Sequence, residues 1–337
     1  HMSVFTSAIK AVEAVTDENI YNYFMCQGND YTLGMRIGLF AKAVSDSLVQ
    51  QGYPEPGFET TMGLIEDTAY GRGTWEMLQS QVYPEYDIEI LGEIFNDTGT
   101  GDYAPLFDKI KQQNPDFITL VQSVNDLPPL KQYASLEVGI PVVGIATSTT
   151  GPYFWQDAAG AAEGAPCLQN STPYSEDVSS ELCRKVYNDR RARYGDSRPI
   201  WRYQSMASYA GIYLAFKAAG QAGGFWDTSA RESSYEWSKA MEEVELKTYN
   251  AGELFNRYTF HPAGHVSEFT NYEASHSYIV GERGDKKYYR PQWSVWYGED
   301  VEGVKPPQGG TIRVIYPLDQ APRGYKWLEE WPPMPTE

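Results

Sequence analysis

This chain predicts an α/β fold built on a parallel sheet, and three observations carry that expectation. The stretch TMGLIEDTAYGRGTWEML, residues 61 to 78, runs an apolar strand into a polar turn and then an amphipathic segment. The same unit recurs, with DIEILGEIF, DFITLVQS and PVVGIAT reading as strands and DYAPLFDKIKQQN and LPPLKQYASLEVG as helices. The helical stretches between strands run to roughly 10–15 residues, the length that right-handed crossovers in a parallel sheet need.

The elements follow in order. Residues 32 to 51 carry apolar side chains at helical spacing, and GYPEPG, residues 52 to 57, marks a connection and a first candidate hinge. The strand beginning near Thr61 ends in the carboxylate pair Glu66 and Asp67, with Tyr70, Gly71 and Gly73 expected in a turn before the helix. Open α/β sheets bind ligands beyond the carboxyl ends of their strands, where loops present polar groups while the strands stay buried, so this turn is expected to face a ligand.

After Gly151 the pattern loosens. A helix is expected from Glu176 to Tyr194, with Val178, Leu182 and Val186 on its apolar side, and GDSRPIW forms a second connection. Helices over residues 206–219 and 234–244 and a strand in FNRYTFHP belong to another domain. From Tyr288 onward the chain holds eight prolines and four of its nine tryptophans with no sustained period, and so reads as an extended tail clasping the surface.

Composition narrows the function classes. The chain has 337 residues, enough for two domains, and 42% hydrophobic with 14% aromatic residues supply a core. A formal net charge of −18 opposes binding to a phosphate backbone, so no nucleic-acid partner is expected. No run reaches the roughly 18 apolar residues of a membrane span. The opening His1-Met2 has the form of a cloning remnant, so a targeting segment could have preceded it. Cys26 stands alone, while Cys167 and Cys183 bracket a polar stretch; a bridge between those two and three reduced thiols are both open readings.

Catalytic chemistry finds no constellation, and no cofactor or metal is expected. The four histidines are His1, His261, His265 and His276, and none falls in a strand-to-helix turn. HPAGH places His261 and His265 four apart, yet its Pro and Gly make a turn rather than a metal-binding helical face. The GTG of FNDTGTGDY lacks the remaining parts of a phosphate loop, its acidic spacing does not suit a calcium loop, and no G-x-S-x-G nucleophile elbow occurs.

The ordered series TDENIYNYF, DYTLG, GLIEDTAYGRG, DYAPLFDKIKQQNPDFITL, GIPVVG, YQSMASYAGIYLAFKAAG and YTFHPAGH resembles the type I periplasmic solute-binding proteins of the branched-chain amino acid (Leu/Ile/Val-binding) ABC-transporter family, across roughly residues 6 to 290. The resemblance implies two lobes with Rossmann-like parallel sheets, closing on a ligand. Residues 1–57 would be a partial lobe one and hinge, 58–198 lobe two, 199–287 the return of lobe one and 288–337 the tail. The family's early strand–helix units have no counterpart here, which implies an incomplete lobe one, with a truncated chain and completion by a partner chain as the two open readings.

The resemblance also implies site residues. Tyr70 matches an aromatic of the lobe-two turn that covers a ligand, and its other reading is a tyrosine packed on its own helix. Ser123 follows a strand toward the cleft, with helix capping as the competing role. Where amino-acid-binding members end a strand in an acid that meets the ligand's ammonium group, this chain has Ala146. A buried ammonium without a carboxylate is costly, so unless Glu66 or Asp67 substitutes, the run from Thr147 to Thr150 suits a neutral or carboxylate ligand better. Ser7 and Ala8 correspond to a lobe-one carboxylate-binding loop, in a segment that reads equally as an amphipathic helix, and Trp201 and Tyr203 to an aromatic wall or, alternatively, core.

The function implied is capture of a small organic ligand, whether amino acid-like, a carboxylate or an aromatic acid. The partner would be an ABC-transporter permease, and the location periplasmic or cell-surface. A ligand-sensing receptor of the same fold is the alternative. Neither is an enzyme.

Overall fold

The computed structural model describes residues 30–50, 52, 54–151, 153–159, 161–169, 181–195, 292–298 and 309–316. It adds the short segments 2–3, 24–25, 212, 215–222, 236–237, 239–240, 246–247 and 257–258. The chain divides into two compact units, one made of residues 34–173 and 291–337 and the other of residues 1–33 and 174–290.

The first of these units follows the βα alternation. Helix α1 spans Asp30–Gln50, strand β1 Thr60–Glu66 and helix α2 Ala69–Met77. Strand β2 covers Glu89–Asn96, helix α3 Ala104–Gln113, strand β3 Phe117–Gln122, helix α4 Leu127–Ser135 and strand β4 Val142–Ala146. The four strands form one parallel sheet in the order β2-β1-β3-β4. The chain leaves β1 toward β2 on one side and returns to β3 on the other, which makes the carboxyl ends of β1 and β3 a topological switch point.

Both faces of this sheet are covered, as parallel sheets require. Met62, Leu64, Ile118, Leu120 and Val142 pack with Phe107 and Ile110 of α3 and Leu130 of α4 on one face. On the other face a Cβ added to Gly63 would meet the Trp75 ring at 2.9 Å, and one added to Gly34 of α1 would meet Met77 at 3.1 Å, so α1 and α2 pack close. The buried Thr61, Thr119 and Tyr83 hydroxyls form a chain on that face, Thr61 to Thr119 at 2.8 Å and Tyr83 to Thr119 at 2.5 Å. Burial pushes the Tyr83 hydroxyl well above the ordinary tyrosine range.

The connection read as a hinge is tied back on α1, with Gly57 N–H donating to Pro54 O at 3.0 Å and Phe58 N–H to Ser45 Oγ at 2.8 Å. It lies within this unit, as do most of α1 and all of β1.

One expectation is corrected at the C-terminal side. Within residues 288–337, Gln292–Tyr297 (β6) and Thr311–Tyr316 (β7) form an antiparallel pair, and β6 also pairs with Pro166–Gln169 (β5). QWSVWY and TIRVIY are runs of β-branched and aromatic residues, the composition of strands, and this outweighs the surrounding prolines. Trp155, following helix α5 residue Phe154 (α5, Phe154–Ala158), fits against glycines of this sheet's loops: a Cβ on Gly298 or Gly310 would stand 2.8 Å from its ring.

In the other unit, helix α6 spans Glu181–Tyr194, inside the segment that the resemblance assigned to lobe two. Residues 215–221, running two residues past the helix expected over 206–219, and residues 239–240, within that expected over 234–244, are helical, and Trp237 Nε1 donates to Ala215 O at 3.3 Å. Arg257–Tyr258, inside FNRYTFHP, pairs antiparallel with Leu246–Lys247. Met2–Ser3 pairs in parallel with Phe24–Met25. The side chains of Cys26, Cys167 and Cys183 lie outside the described residues.

Candidate functional site

The last row of the parallel sheet aligns Asn96, Glu66, Gln122 and Ala146 across β2, β1, β3 and β4. All four are buried, and three are polar. Strands buried on both faces seldom carry such groups unless every one finds a partner. Here they do: Asn96 and Gln122 exchange amide hydrogen bonds over the end of β1, at 3.2 and 2.6 Å, and Gln122 Nε2 also donates to Leu64 O at 3.3 Å.

Glu66, with none of its surface exposed, aims its carboxylate at the loop after β3. It accepts the backbone N–H of Ser123, the N–H of Val124 at 2.9 Å and the Ser123 hydroxyl at 3.0 Å. Asp126 repeats the device one strand on, accepting the Ser148 N–H in the turn after β4. The loops are stitched further by Asn125 Nδ2 to Thr100 O at 2.6 Å and by Asp67 N–H to Asn96 O at 2.8 Å.

Tyr103, fully buried, stands among these groups. Asn96 Nδ2 donates to its hydroxyl at 3.1 Å, and that hydroxyl donates to Asn125 O at 3.4 Å. Desolvation, with the Glu66 and Asp126 carboxylates nearby, pushes its hydroxyl up to about 12.

The turn after β1 is tighter than the sequence suggests. Thr68 caps α2, its side chain accepting Gly71 N–H at 3.1 Å, so the helix begins at Ala69 and Tyr70, Gly71 and Gly73 lie inside it. Asp67 is exposed and pairs with Arg72 Nε at 2.6 Å, which holds its carboxyl below the ordinary aspartate range. The Arg72 guanidinium also stacks 4.3 Å from the Phe95 ring centroid.

The structure places the expected site residues as follows. Tyr70 is half-buried in the first turn of α2, two residues past the Thr68 cap. Ser123 is held on Glu66, so the loop after β3 meets the end of β1. Ala146 ends β4 with its methyl group in the apolar core, and Thr147 opens a helical turn, Thr147–Thr150, its carbonyl accepting the Thr150 hydroxyl at 2.7 Å. Ser7, Ala8, Trp201 and Tyr203 lie outside the described residues. Sequence reasoning passed over Asn96, Tyr103, Gln122, Asn125 and Asp126; the signal was polar residues ending apolar strands, in IFND and LVQSVND.

Among the described residues no group of His, Cys, Asp and Glu is arranged to hold a metal, and no helix is long and apolar enough to cross a membrane.

A family profile described as periplasmic binding protein matches residues 6–277. The chain belongs to the periplasmic binding protein family. Its α/β fold with a parallel sheet is that of the type I members, the branched-chain amino acid group. No curated protein matches the chain in sequence.

Solved structures extend the likeness. A Silicibacter pomeroyi protein assigned to branched-chain amino acid ABC transport is 14% identical, with a TM-score of 0.71 over 98% of this chain and 75% of that one. The leucine-, isoleucine-, valine-, threonine- and alanine-binding protein of Brucella ovis, in its closed conformation, is 14% identical, with a TM-score of 0.60 over 90% of this chain and 66% of its own. An ABC-transporter solute-binding protein of Rhodopseudomonas palustris, in complex with 3,4-dihydroxybenzoic acid, is 17% identical, with a TM-score of 0.59 over 89% and 67%. At these identities the likeness is one of fold.

Proposed function

We propose that this periplasmic binding protein captures a small organic ligand between two lobes and delivers it to an ABC-transporter permease. The observation that carries the reading is the polar row at the switch point, where Glu66 and Asp126 fix the backbone of the loops that follow β3 and β4. Closure on the ligand would shift the population toward a compact state, and the proposed ligand contacts are Tyr70, Ser123 and Thr147, with Ser7, Ala8 and Tyr203 as the resemblance implies. The reading assigns the chain no reaction.

The ligand class follows from the acids. Ala146 stands where amino-acid-binding members are expected to carry an acid, Asp67 is engaged by Arg72, and Glu66 is engaged by two amides and a hydroxyl. With Ala146 uncharged and both Glu66 and Asp67 already engaged, the reading favours a neutral compound or an aromatic or aliphatic acid over an α-ammonium ligand. Native mass spectrometry of the protein purified from its source tests this: a retained carboxylic acid or neutral solute supports the reading. Small-angle scattering unchanged across a panel of amino acids and aromatic acids overturns it.

A further inference from the structure

Glu66 does more than fill a buried position. Its Oε2 accepts two backbone N–H groups, from Ser123 and Val124, and both carboxylate oxygens lie within reach of the Ser123 hydroxyl, at 3.0 and 3.2 Å. A serine hydroxyl has one proton and two lone pairs. A carboxylate that already accepts from two amides can only accept from that hydroxyl as well, so the serine proton points at Glu66 and the free lone pairs of Oγ point elsewhere.

We infer that Glu66 is a positioning residue that sets the hydrogen-bond polarity of Ser123, so that Ser123 meets a bound solute as an acceptor and selects a solute carrying an O–H or N–H donor at that point. This rests on the reading that the loop after β3 faces the ligand. It also fixes the neighbour: with its N–H tied to Glu66, Val124 holds its side chain 71% exposed beside that acceptor, an apolar surface next to a polar contact. A phenol fits this pair better than a bare carboxylate, because its hydroxyl donates while its ring covers the valine.

Glu66→Gln separates polarity from architecture. With its carbonyl oxygen in the Oε2 place the glutamine still accepts the two amides, while its NH2 group in the Oε1 place, 3.2 Å from Ser123 Oγ, donates to that oxygen and occupies a lone pair otherwise open to the solute. The probes are 3,4-dihydroxybenzoate, which offers donors, and benzoate, which offers none, titrated by calorimetry against the parent, Glu66→Gln and Ser123→Ala. The parent is expected to prefer 3,4-dihydroxybenzoate, Glu66→Gln to lower that preference several-fold, and Ser123→Ala, which removes the acceptor, to lower it about tenfold. A purely structural glutamate would weaken both probes equally, and an unchanged ratio in a folded Glu66→Gln protein overturns the inference.

Amide hydrogen exchange gives a second readout that needs no ligand. The Ser123 and Val124 amides are expected to be protected in the parent and in Glu66→Gln and to exchange at least about tenfold faster in Glu66→Ala, with β3 itself unchanged. Equal exchange of these two amides in the parent and Glu66→Ala overturns the positioning role. Should neither probe bind the parent, the aromatic-acid arm of the proposed function fails, and the exchange result still decides the role of Glu66.

Discussion

Gly71 lies so close to Glu66 that a Cβ placed on it would stand 2.1 Å from the Glu66 carbonyl oxygen. The first turn of α2 therefore rests on the end of β1, and the glycine of the Tyr-Gly pair is required by contact rather than by a turn. Gly71→Ala must move the helix or the strand, and overpacking of this kind costs about 1–3 kcal/mol. Urea unfolding should show a lower midpoint at unchanged slope, and an unchanged midpoint would contradict the packing.

Asp116 fastens the start of β3 to the start of β1. Its Oδ2 accepts Glu59 N–H at 2.9 Å, Thr60 N–H at 2.8 Å and the Thr60 hydroxyl at 2.9 Å. Asp116→Ala leaves these donors without their acceptor and is expected to destabilise by about 1–3 kcal/mol, measured by the same urea titration. Asp116→Asn, which keeps one acceptor, should lose less.

Alkaline pH supplies a test of the buried tyrosines. The Tyr103 hydroxyl is held up to about 12 in the fold by desolvation and the neighbouring Glu66 and Asp126, and Tyr133 to about 12 by desolvation, against about 10 in an unfolded chain. Between those values the unfolded state releases protons that the folded state keeps, so stability falls as pH rises from about 10 toward 12. Tyr103→Phe should flatten that fall, read as unfolding free energy against pH; an identical slope in parent and variant would contradict it.

The slot for Trp155 predicts a second packing cost. Gly310 has φ of +73° and leaves room for the indole, which a Cβ would approach to 2.8 Å. Gly310→Ala combines backbone strain with overlap and should cost about 1–3 kcal/mol. The same urea titration measures that cost, and an unchanged midpoint would contradict the fit of the indole.

How much of this was readable beforehand differs by element. The strands of the parallel sheet stood out because a strand buried on both faces is a short apolar run, and DFITLVQS matches β3 nearly end to end. The C-terminal strands were hidden because proline content was weighed over the β-branched pattern of TIRVIY. The start of α2 was misplaced because the glycines in YGRG read as turn residues, whereas only the packing against Glu66 explains Gly71 inside a helix. The positions of Tyr70 and Ser123 came from resemblance, and the partner of Ser123 from neither pattern nor resemblance. Glu66 and Ser123 are 57 residues apart, and only the order β2-β1-β3-β4 brings their strand ends together.

Because Glu66 holds Val124, and Asp126 holds Ser148, by the main-chain amide, the side chains at those two positions are immaterial to the grip. Any non-proline residue at positions 124 and 148 offers the same N–H. Loop path and side-chain choice are thereby uncoupled, so diversification toward a new solute can proceed by single exchanges along a backbone that stays put.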